Sequence, residues 1–367
     1  MTGEEYRAAV LDVAFLAACA VNDTVPDAER VGKMDPEKLF KAADRHMLTG
    51  ITAMALESAG VRDDAFTQAK GKAVFKAAAF DAERGAVLAK FEEEGIMYAP
   101  MKGCVLKELY PKLGMRQMSD NDILYDDTRT HDVKAIMEGL GFSAGPSFGR
   151  GVHDHYFKPP VLNFEMHRSL FGVGHNVKFV EYYKDVKSRL IRNEGSRYGY
   201  HFSDEDFYIY MIAHEYMHYS GSGTGLRSLL DTYVFLKKKG EGLDWSHIAG
   251  ELEKLDISAF EEQNRSLAMR LFSGDELTGA DIEMLDYIAS SGTYGTWANR
   301  AKNQIARKGR AGYLFSRMFL PLGTMKTLYP VLDAVPVLLP FCWIFRLVKA
   351  LITKPRKVLF QLKAAFR

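Results

Sequence analysis

The hydrophobic pattern of this chain changes twice along its length, and that change limits the fold more than its composition does. In residues 1–95 apolar side chains recur every three or four positions, as in amphipathic helices, and the helical stretches end near glycines. Residues 96–175 instead hold short strand-like runs, "GIMYAPMKG", "NDILYD" and "LNFEMHRSL", with a helical stretch between them. Residues 176–310 return to the helical spacing. Strands in the middle of the chain, with helical regions on both sides, predict an α+β protein.

The overall composition indicates which partners and which cellular compartment to expect for this chain. The 367 residues carry a formal net charge of +1, and the body has no basic stripe with interleaved aromatic residues, so we expect no nucleic-acid partner. Cys19, Cys104 and Cys342 lie far apart in the sequence, which fits a reducing compartment. The opening residues "MTGEEYRAAV" carry two glutamates where a secretory signal carries basic residues. We therefore expect a cytoplasmic protein.

The last segment, residues 311–367, differs from the body in its charge. Its uncharged stretch Ala334–Phe345 is shorter than the roughly 20 residues that span a bilayer, and Pro336 and Pro340 interrupt it. Two interpretations stay open, in which this tail either lies on an anionic membrane face or packs on the helical region with its charges in solvent. After Asp333 the charged residues are all basic: Arg346, Lys349, Lys354, Arg356, Lys357, Lys363 and Arg367.

Two aspartates in the middle region form the first candidate for a chemical site. Asp120 and Asp122 are two positions apart at the start of a strand-like run, so their side chains point to the same face of an extended chain. Two carboxylates so placed can bind a divalent cation, which offsets their mutual repulsion. Glu165, in the apolar run "LNFEMHRSL", is a third carboxylate that needs a partner. The alternatives are a solvated turn for the aspartates and a strand salt bridge of Glu165 with His167 or Arg168.

Upstream of the aspartates, "YAPMKGCVLKELY" reads as a strand, a glycine turn and a helix. In such a turn Gly103 lets the backbone approach a phosphate, the following amides point at the anion, and Lys102 adds a positive charge. A Lys-Gly pair before a helix is also common in ordinary turns. The turn is therefore a candidate phosphate site only in combination with the carboxylates.

The combination resembles a known family. The segment "MKGCVLKELYPKLGMRQMSDNDILY" is similar to the signature of the nucleotidyltransferase-like family in the polymerase-β superfamily, and "FEMHRSLF" resembles its later acidic-x-His segment. The helical stretches "HEYMHYSGSGTGLRSLLDTYVFLKK" and "DWSHIAGELEKL" resemble the family's C-terminal helices, so the resemblance covers most of residues 36–275. Asn121 departs from the apolar residue that the family usually has between its two aspartates.

The resemblance implies a small mixed β-sheet core flanked by helical regions, and an enzyme that moves a nucleoside monophosphate from an NTP to an acceptor hydroxyl. The hydrophobic pattern and the distinct tail divide the chain into residues 1–95, 96–175, 176–310 and 311–367. In this interpretation the catalytic and metal-binding residues, which hold Mg²⁺ or Mn²⁺, are Asp120, Asp122 and Glu165. The residues that contact the nucleotide or line the cleft are Lys102, Gly103, Cys104, Arg116, His214, His218, Arg227 and Asp231.

The acceptor is not specified by the residues. The tail segments "YLFSRMFLP", "LYP" and "LLP" resemble those of family members associated with polysaccharide production. This resemblance favours a sugar or lipid-linked acceptor and a location at the inner face of the membrane.

Two rival functions remain. His214-Glu215-x-x-His218 matches the zinc-peptidase helix signature, but the extended form of that motif requires a third histidine where this chain has Thr224. A downstream glutamate such as Glu251 is an alternative ligand, and the histidines can also be merely partly buried helix residues. The second rival is a non-catalytic binding protein that keeps the nucleotidyltransferase fold and docks on a membrane or partner.

Overall fold

The computed structural model describes residues 1–355, 358 and 359. Five helices form the N-terminal region. The first begins with a capping box between Thr2 and Glu5, and the fifth ends at Gly95, whose φ of 70° suits a glycine. These helices are α1 Gly3–Val21, α2 Ala28–Gly32, α3 Pro36–Arg45, α4 Thr49–Ser58 and α5 Asp64–Glu94.

A five-stranded mixed sheet follows, as the resemblance implied. Its spatial order is β1-β2-β5-β4-β3, and β2 and β5 are parallel neighbours while the other pairs are antiparallel. A turn at Pro159 and Pro160 joins β4 to β5. The strands are β1 Tyr98–Pro100, β2 Asn121–Tyr125, β3 Ser143–Ala144, β4 His153–Lys158 and β5 Leu162–His167. A separate two-stranded hairpin consists of β6 Ile191–Arg192 and β7 Tyr200–His201.

The remaining helices lie between the strands and in the C-terminal part of the chain. Those within or directly after the sheet region are α6 Gly103–Leu106, α7 Thr130–Gly139 and α8 Val177–Tyr183. The C-terminal helical region comprises α9 Asp204–Gly221, α10 Leu226–Lys239, α11 Trp245–Leu255, α12 Ser258–Ser273 and α13 Gly279–Ser291. The last four helices are α14 Trp297–Met318, α15 Leu322–Leu328, α16 Val331–Ala334 and α17 Leu339–Thr353. The α+β prediction is confirmed.

The two helical regions share one hydrophobic core. Helix α1 packs against α3 and α4 of its own region and against α12 of the C-terminal region. Fully buried residues from both, including Val13, Leu39, Leu230 and Leu267, belong to the same cluster. A second cluster fills the space between the sheet, α5 and α7. The N-terminal helices are therefore held by the C-terminal helices as well as by one another.

A buried ion pair joins the loop before β2 to helix α10. Arg116 binds Asp231 through two parallel bonds, Nε to Oδ1 and Nη2 to Oδ2, each 2.8 Å long. The Tyr110 hydroxyl donates to the same Asp231 Oδ1 at 2.7 Å. Both charged side chains are less than one-tenth exposed, so each depends on the other for its solvation.

Replacement of Asp231 by Ala is expected to lower the free energy of unfolding by about 3–5 kcal/mol, because Arg116 is left as a buried unpaired charge. Urea unfolding of the purified protein measures this. The matched control is Asp132→Ala, which removes an exposed partner of Arg129 and should cost less than about 1 kcal/mol. A cost for Asp231→Ala as small as that of the control would contradict a structural role for the pair.

Candidate functional site

The sheet brings two of the three predicted carboxylates side by side. Asp122 of β2 and Glu165 of β5 are register partners on parallel neighbouring strands. Asp122 is only 2% exposed, and a buried carboxylate requires a partner. Lys102 supplies it, with Nζ 2.7 Å from Asp122 Oδ1 and 3.9 Å from Glu165 Oε2. We call Lys102, Asp120, Asp122 and Glu165 the acidic site.

The turn that carries Lys102 has an unusual backbone. Residues Met101 to Cys104 close a turn in which the Cys104 amide donates to the Met101 carbonyl at 3.0 Å, and the Met101 amide donates to the Asp122 carbonyl at 3.0 Å. Lys102 has φ 46° and ψ −120°, a left-handed conformation that glycine adopts freely and lysine does not. Backbone strain of this kind concentrates at functional sites. Here it accompanies a lysine ammonium held against two carboxylates.

The turn differs in detail from the phosphate cradle that the sequence suggested. The Cys104 amide is already bonded within the turn, and its buried thiol lies 3.3 Å from Asn121 Oδ1. A Cβ on Gly103 would lie 2.5 Å from Arg116 Nη1, so the glycine makes room for that guanidinium. The structure places Arg116 and Asp231 in their buried pair and not on an open surface that could reach a nucleotide. The nucleotide-binding roles of Cys104, Arg116 and Asp231 stay predictions, and in this structure Cys104 contacts Asn121 while Arg116 and Asp231 bind each other.

The carboxylates of the acidic site differ in their electrostatics. Burial opposes ionisation of Asp122, but Lys102 and His167 outweigh it and hold the pKa of that carboxyl well below its usual range. Burial, together with the nearby charges of Asp122 and Glu165, raises the pKa of Asp120 to about 7. The Glu165 pKa is lowered, because His167 and the nearby cations outweigh the opposing effect of burial. An oxygen-rich site with more negative charge than Lys102 can balance fits a hard divalent cation such as Mg²⁺.

Three histidines border the acidic site, and the sequence analysis considered only one of them, His167, as a salt-bridge partner of Glu165. His167 Nε2 lies 2.9 Å from Asp122 Oδ1 and 3.5 Å from Glu165 Oε2. His155 Nδ1 lies 3.6 Å from Glu165 Oε1, and His153 Nε2 lies 3.2 Å from His155 Nε2. We call His153, His155 and His167 the histidine cluster. The available signal was the alternation in "HDHYF" and "FEMHR", since residues two apart on a strand share a face.

The helical region contributes three of the predicted residues to the neighbourhood of the acidic site. On α9 the ring nitrogens His214 Nε2 and His218 Nε2 are 3.3 Å apart. Burial and the positive charge of Lys102 lower the pKa of His214 well below its usual value, so this imidazole is neutral at pH 7. Arg227 of α10 donates to the Gln117 carbonyl at 3.1 Å and to Ser119 Oγ at 3.2 Å. It thereby holds the loop that leads into Asp120.

Glu215 lies on a different side of α9 from these histidines. It is buried, and its Oε2 accepts a hydrogen bond from Asn264 Nδ2 of α12 at 3.1 Å. The same oxygen also lies within hydrogen-bond distance of a side chain of α10. A zinc-peptidase glutamate must instead face the water that the two histidines help to bind. Burial and the charge of Asp231 raise the pKa of Glu215 to about 8, as expected for a core carboxyl that stays protonated. The structure therefore removes the general base on which the zinc-hydrolase alternative depends.

Replacement of Glu215 by Gln is expected to leave the fold intact and to flatten the dependence of stability on pH. Below about pH 8 Glu215 stays protonated in the folded protein. In the unfolded chain the same carboxyl loses its proton above the ordinary glutamate pKa of 4.5. The stability that this proton confers is complete at low pH and is lost as pH rises from about 5 to about 8. Urea unfolding of wild type and Glu215→Gln across that range measures the difference. A difference that is constant with pH would contradict a protonated Glu215.

Comparison with known proteins identifies a family for this chain. The model of a family described as uncharacterised nucleotidyltransferase matches residues 32–273, a span that includes the acidic site, the histidine cluster and helices α9 and α10. Searches of curated proteins and of solved structures found no match. The matched span covers well over half of the chain and contains the residues that carry the resemblance, and the chain therefore belongs to this family of uncharacterised nucleotidyltransferases.

Proposed function

We propose that this protein is a Mg²⁺-dependent nucleotidyltransferase that moves a nucleoside monophosphate from an NTP to an acceptor hydroxyl. One observation carries the proposal. The Lys102 ammonium, held in a strained turn, meets the register-paired carboxylates Asp122 and Glu165 on adjacent parallel strands. The family membership supports nucleotidyl transfer in general terms.

Each residue of the acidic site has a part in this reaction. Asp120, Asp122 and Glu165 would hold Mg²⁺ or Mn²⁺, which neutralises the phosphates and the charge that develops on the departing pyrophosphate. Lys102 donates one N–H to Asp122 and has others for a phosphate oxygen. The acceptor oxygen attacks the α-phosphorus, and the bond from that phosphorus to pyrophosphate breaks. Glu165 orients the acceptor hydroxyl and takes its proton, which then passes to solvent.

A cleft next to the loop before Asp120 offers room for part of a substrate, and none of the four acidic-site residues lines it. It has a volume of about 330 Å³ and includes Gln117 and Met118, just before Asp120, together with Lys72 and Lys76 of α5. The Lys76 ammonium donates to the Ser119 carbonyl at 3.2 Å. We propose that the cleft receives part of the NTP or of an anionic acceptor, because its two lysines suit negatively charged groups. A sugar or lipid-linked acceptor remains the class we favour.

Asp122→Asn and Asp120→Asn are expected to lower Mg²⁺-dependent NTP turnover by at least about 10²-fold, because each removes a charge that the metal needs. Incubation of the protein with labelled NTPs and candidate acceptors, followed by mass spectrometry of protein and acceptors, measures turnover and reveals any self-labelling. Asp132→Asn, on the exposed surface of α7, is the matched control and should retain full turnover.

Two results would speak against catalysis at this site. Full turnover by either acidic-site variant would contradict the assignment of its residue. Mg²⁺-dependent stabilisation of wild type by NTP in a thermal-shift assay, with no turnover for any acceptor, would favour the non-catalytic binding protein.

We also propose that the tail lies on the inner face of an anionic membrane. An apolar stripe on α17 faces outward and is formed by Phe341, Ile344, Phe345, Val348 and Ile352, all exposed. Their spacing of three and four places them along one side of the helix. Lys349 and Lys354 are exposed near the stripe, in the arrangement of a basic amphipathic helix. Arg356, Lys357, Lys363 and Arg367, which the sequence analysis included in the basic tail, lie outside the described residues.

The apolar segment is longer than the sequence analysis expected. Among the described residues, Pro336–Thr353 is the stretch that is long and apolar enough to cross a membrane, judged by length and composition alone. It has 18 residues and a mean hydropathy of 1.6, and 6% of it is buried. Arg346 within it donates to the Arg317 and Met318 carbonyls at 2.6 and 2.9 Å. A spanning helix would bury Arg346 and Lys349 near its middle, which costs about 2.5–3.5 kcal/mol each. Interfacial binding avoids that cost.

Wild-type protein is expected to sediment with vesicles of phosphatidylcholine and phosphatidylglycerol, and less with phosphatidylcholine alone. The variant Phe341→Ser/Ile344→Ser should lose most of this binding at unchanged thermal stability, because it removes apolar area from the exposed stripe. The matched control is Phe75→Ser, which alters a 63% exposed phenylalanine of α5 and should bind like wild type. Equal sedimentation of the stripe variant and wild type would contradict membrane docking through α17.

A further inference from the structure

We infer that His153, His167 and Glu165, with His155 beside them, form a second metal site that takes a divalent transition-metal ion. The inference stands on the geometry of β4 and β5 and does not require nucleotidyl transfer. The new site shares Glu165 with the acidic site and adds imidazole nitrogens to it.

The strand register places all four side chains together. In the antiparallel pair of β4 and β5, His153 stands opposite His167 and His155 stands opposite Glu165. Positions two apart on a strand share a face, so the four side chains lie on one side of the sheet, in two pairs separated by the pair of Asp154 and Met166. A site built on paired strands holds its ligands more rigidly than a site built on loops.

The distances suit a metal ion with little rearrangement. One ligand atom from each of His153, Glu165 and His167 lies within 4.8 Å of the others. Glu165 Oε2 is 3.9 Å from His153 Nε2 and 3.5 Å from His167 Nε2. Ligands bound at about 2.1 Å to one ion are separated by roughly 3.0–3.5 Å. The observed atoms therefore need to move inward by less than about 1 Å, within the reach of small side-chain rotations.

The hydrogen-bond pattern leaves ring nitrogens without protein partners. His153 Nδ1 and His167 Nδ1 are buried and make no hydrogen bond among the described residues. The His167 side chain is only 4% exposed. The nitrogens that face Glu165 are the Nε2 atoms of these two histidines, so the metal site rests on the Nε2 geometry and not on the unpartnered Nδ1 atoms. His153 Nε2 and His155 Nε2 lie 3.2 Å apart, within hydrogen-bond distance of each other.

The donor set selects the class of metal. Imidazole nitrogen favours Zn²⁺ and other late first-row ions, whereas Mg²⁺ prefers oxygen ligands and a near-octahedral shell. Asp122 Oδ1 lies 2.9 Å from the same His167 Nε2 that faces Glu165, so an ion bound by that nitrogen would replace this hydrogen bond. The same carboxylate belongs to the acidic site. An ion in the histidine cluster would therefore sit beside the proposed Mg²⁺ site without using Asp120.

The experiment uses the full-length protein after removal of bound metal with a chelator. Titration with Zn²⁺ in a calorimeter, and with Co²⁺ followed by visible absorption, is expected to show one tight site per chain, and excess Mg²⁺ should not displace the ion. His153→Ala and His155→Ala should each weaken Zn²⁺ binding by at least about tenfold. His155 is the more exposed of the two, so its variant keeps the test valid if His153→Ala does not fold.

Three further variants make the result decisive. The exposed His247 of α11 provides the control His247→Ala, which should bind Zn²⁺ like wild type. The double variant His214→Ala/His218→Ala should also retain binding, and loss of Zn²⁺ there would overturn the assignment in favour of α9. Asp120→Asn should keep Zn²⁺ binding while losing NTP turnover, which separates a failure of this inference from a failure of the proposed reaction. The inference would also be overturned if wild type bound no Zn²⁺ or if both cluster variants bound it unchanged.

Discussion

The ion pair between Lys102 and Asp122 is the interaction on which the rest of the site depends. Asp122 lies in the middle of the sheet, where an unpaired carboxylate would be costly. Lys102 reaches it at 2.7 Å only from a turn with a left-handed backbone conformation. The favourable pairing offsets the strain of that turn and fixes the ends of β1 and β2 relative to each other. Glu165 and His167 then join the pair because β5 runs parallel to β2.

A second layer of polar contacts connects this sheet to the helices. Arg116 and Asp231 bind each other across the boundary, and Arg227 holds the loop before Asp120. Both contacts involve charged groups that a sequence reader assigns naturally to a ligand. In the structure these contacts join α10 to the loop before β2, which leads into Asp120.

The charge on the chain is divided between its parts. The net charge of the whole is close to zero, yet the acidic site concentrates negative charge in the sheet, and the described end of the tail concentrates positive charge beside an exposed apolar stripe. Such separation lets one molecule attract a divalent cation at one place and an anionic surface at another. A membrane-docked transferase acting on a lipid-linked acceptor would use both features.

Local patterns in the chain predict the α+β class, the strand that begins between Asp120 and Asp122, and the lysine turn before it, because hydrophobic period and short-range spacing are local properties. Three further features of the site depend on tertiary contacts between distant parts of the chain. Arg116 pairs with Asp231, a residue 115 positions away, and no local pattern encodes such a contact. The histidine cluster depends on the register of β4 against β5, and register is set by pairing rather than by either strand alone. Glu215 faces the core because α10 and α12 pack against its side of α9, so the glutamate of a motif that suggests a peptidase is buried while His218 of the same motif is exposed.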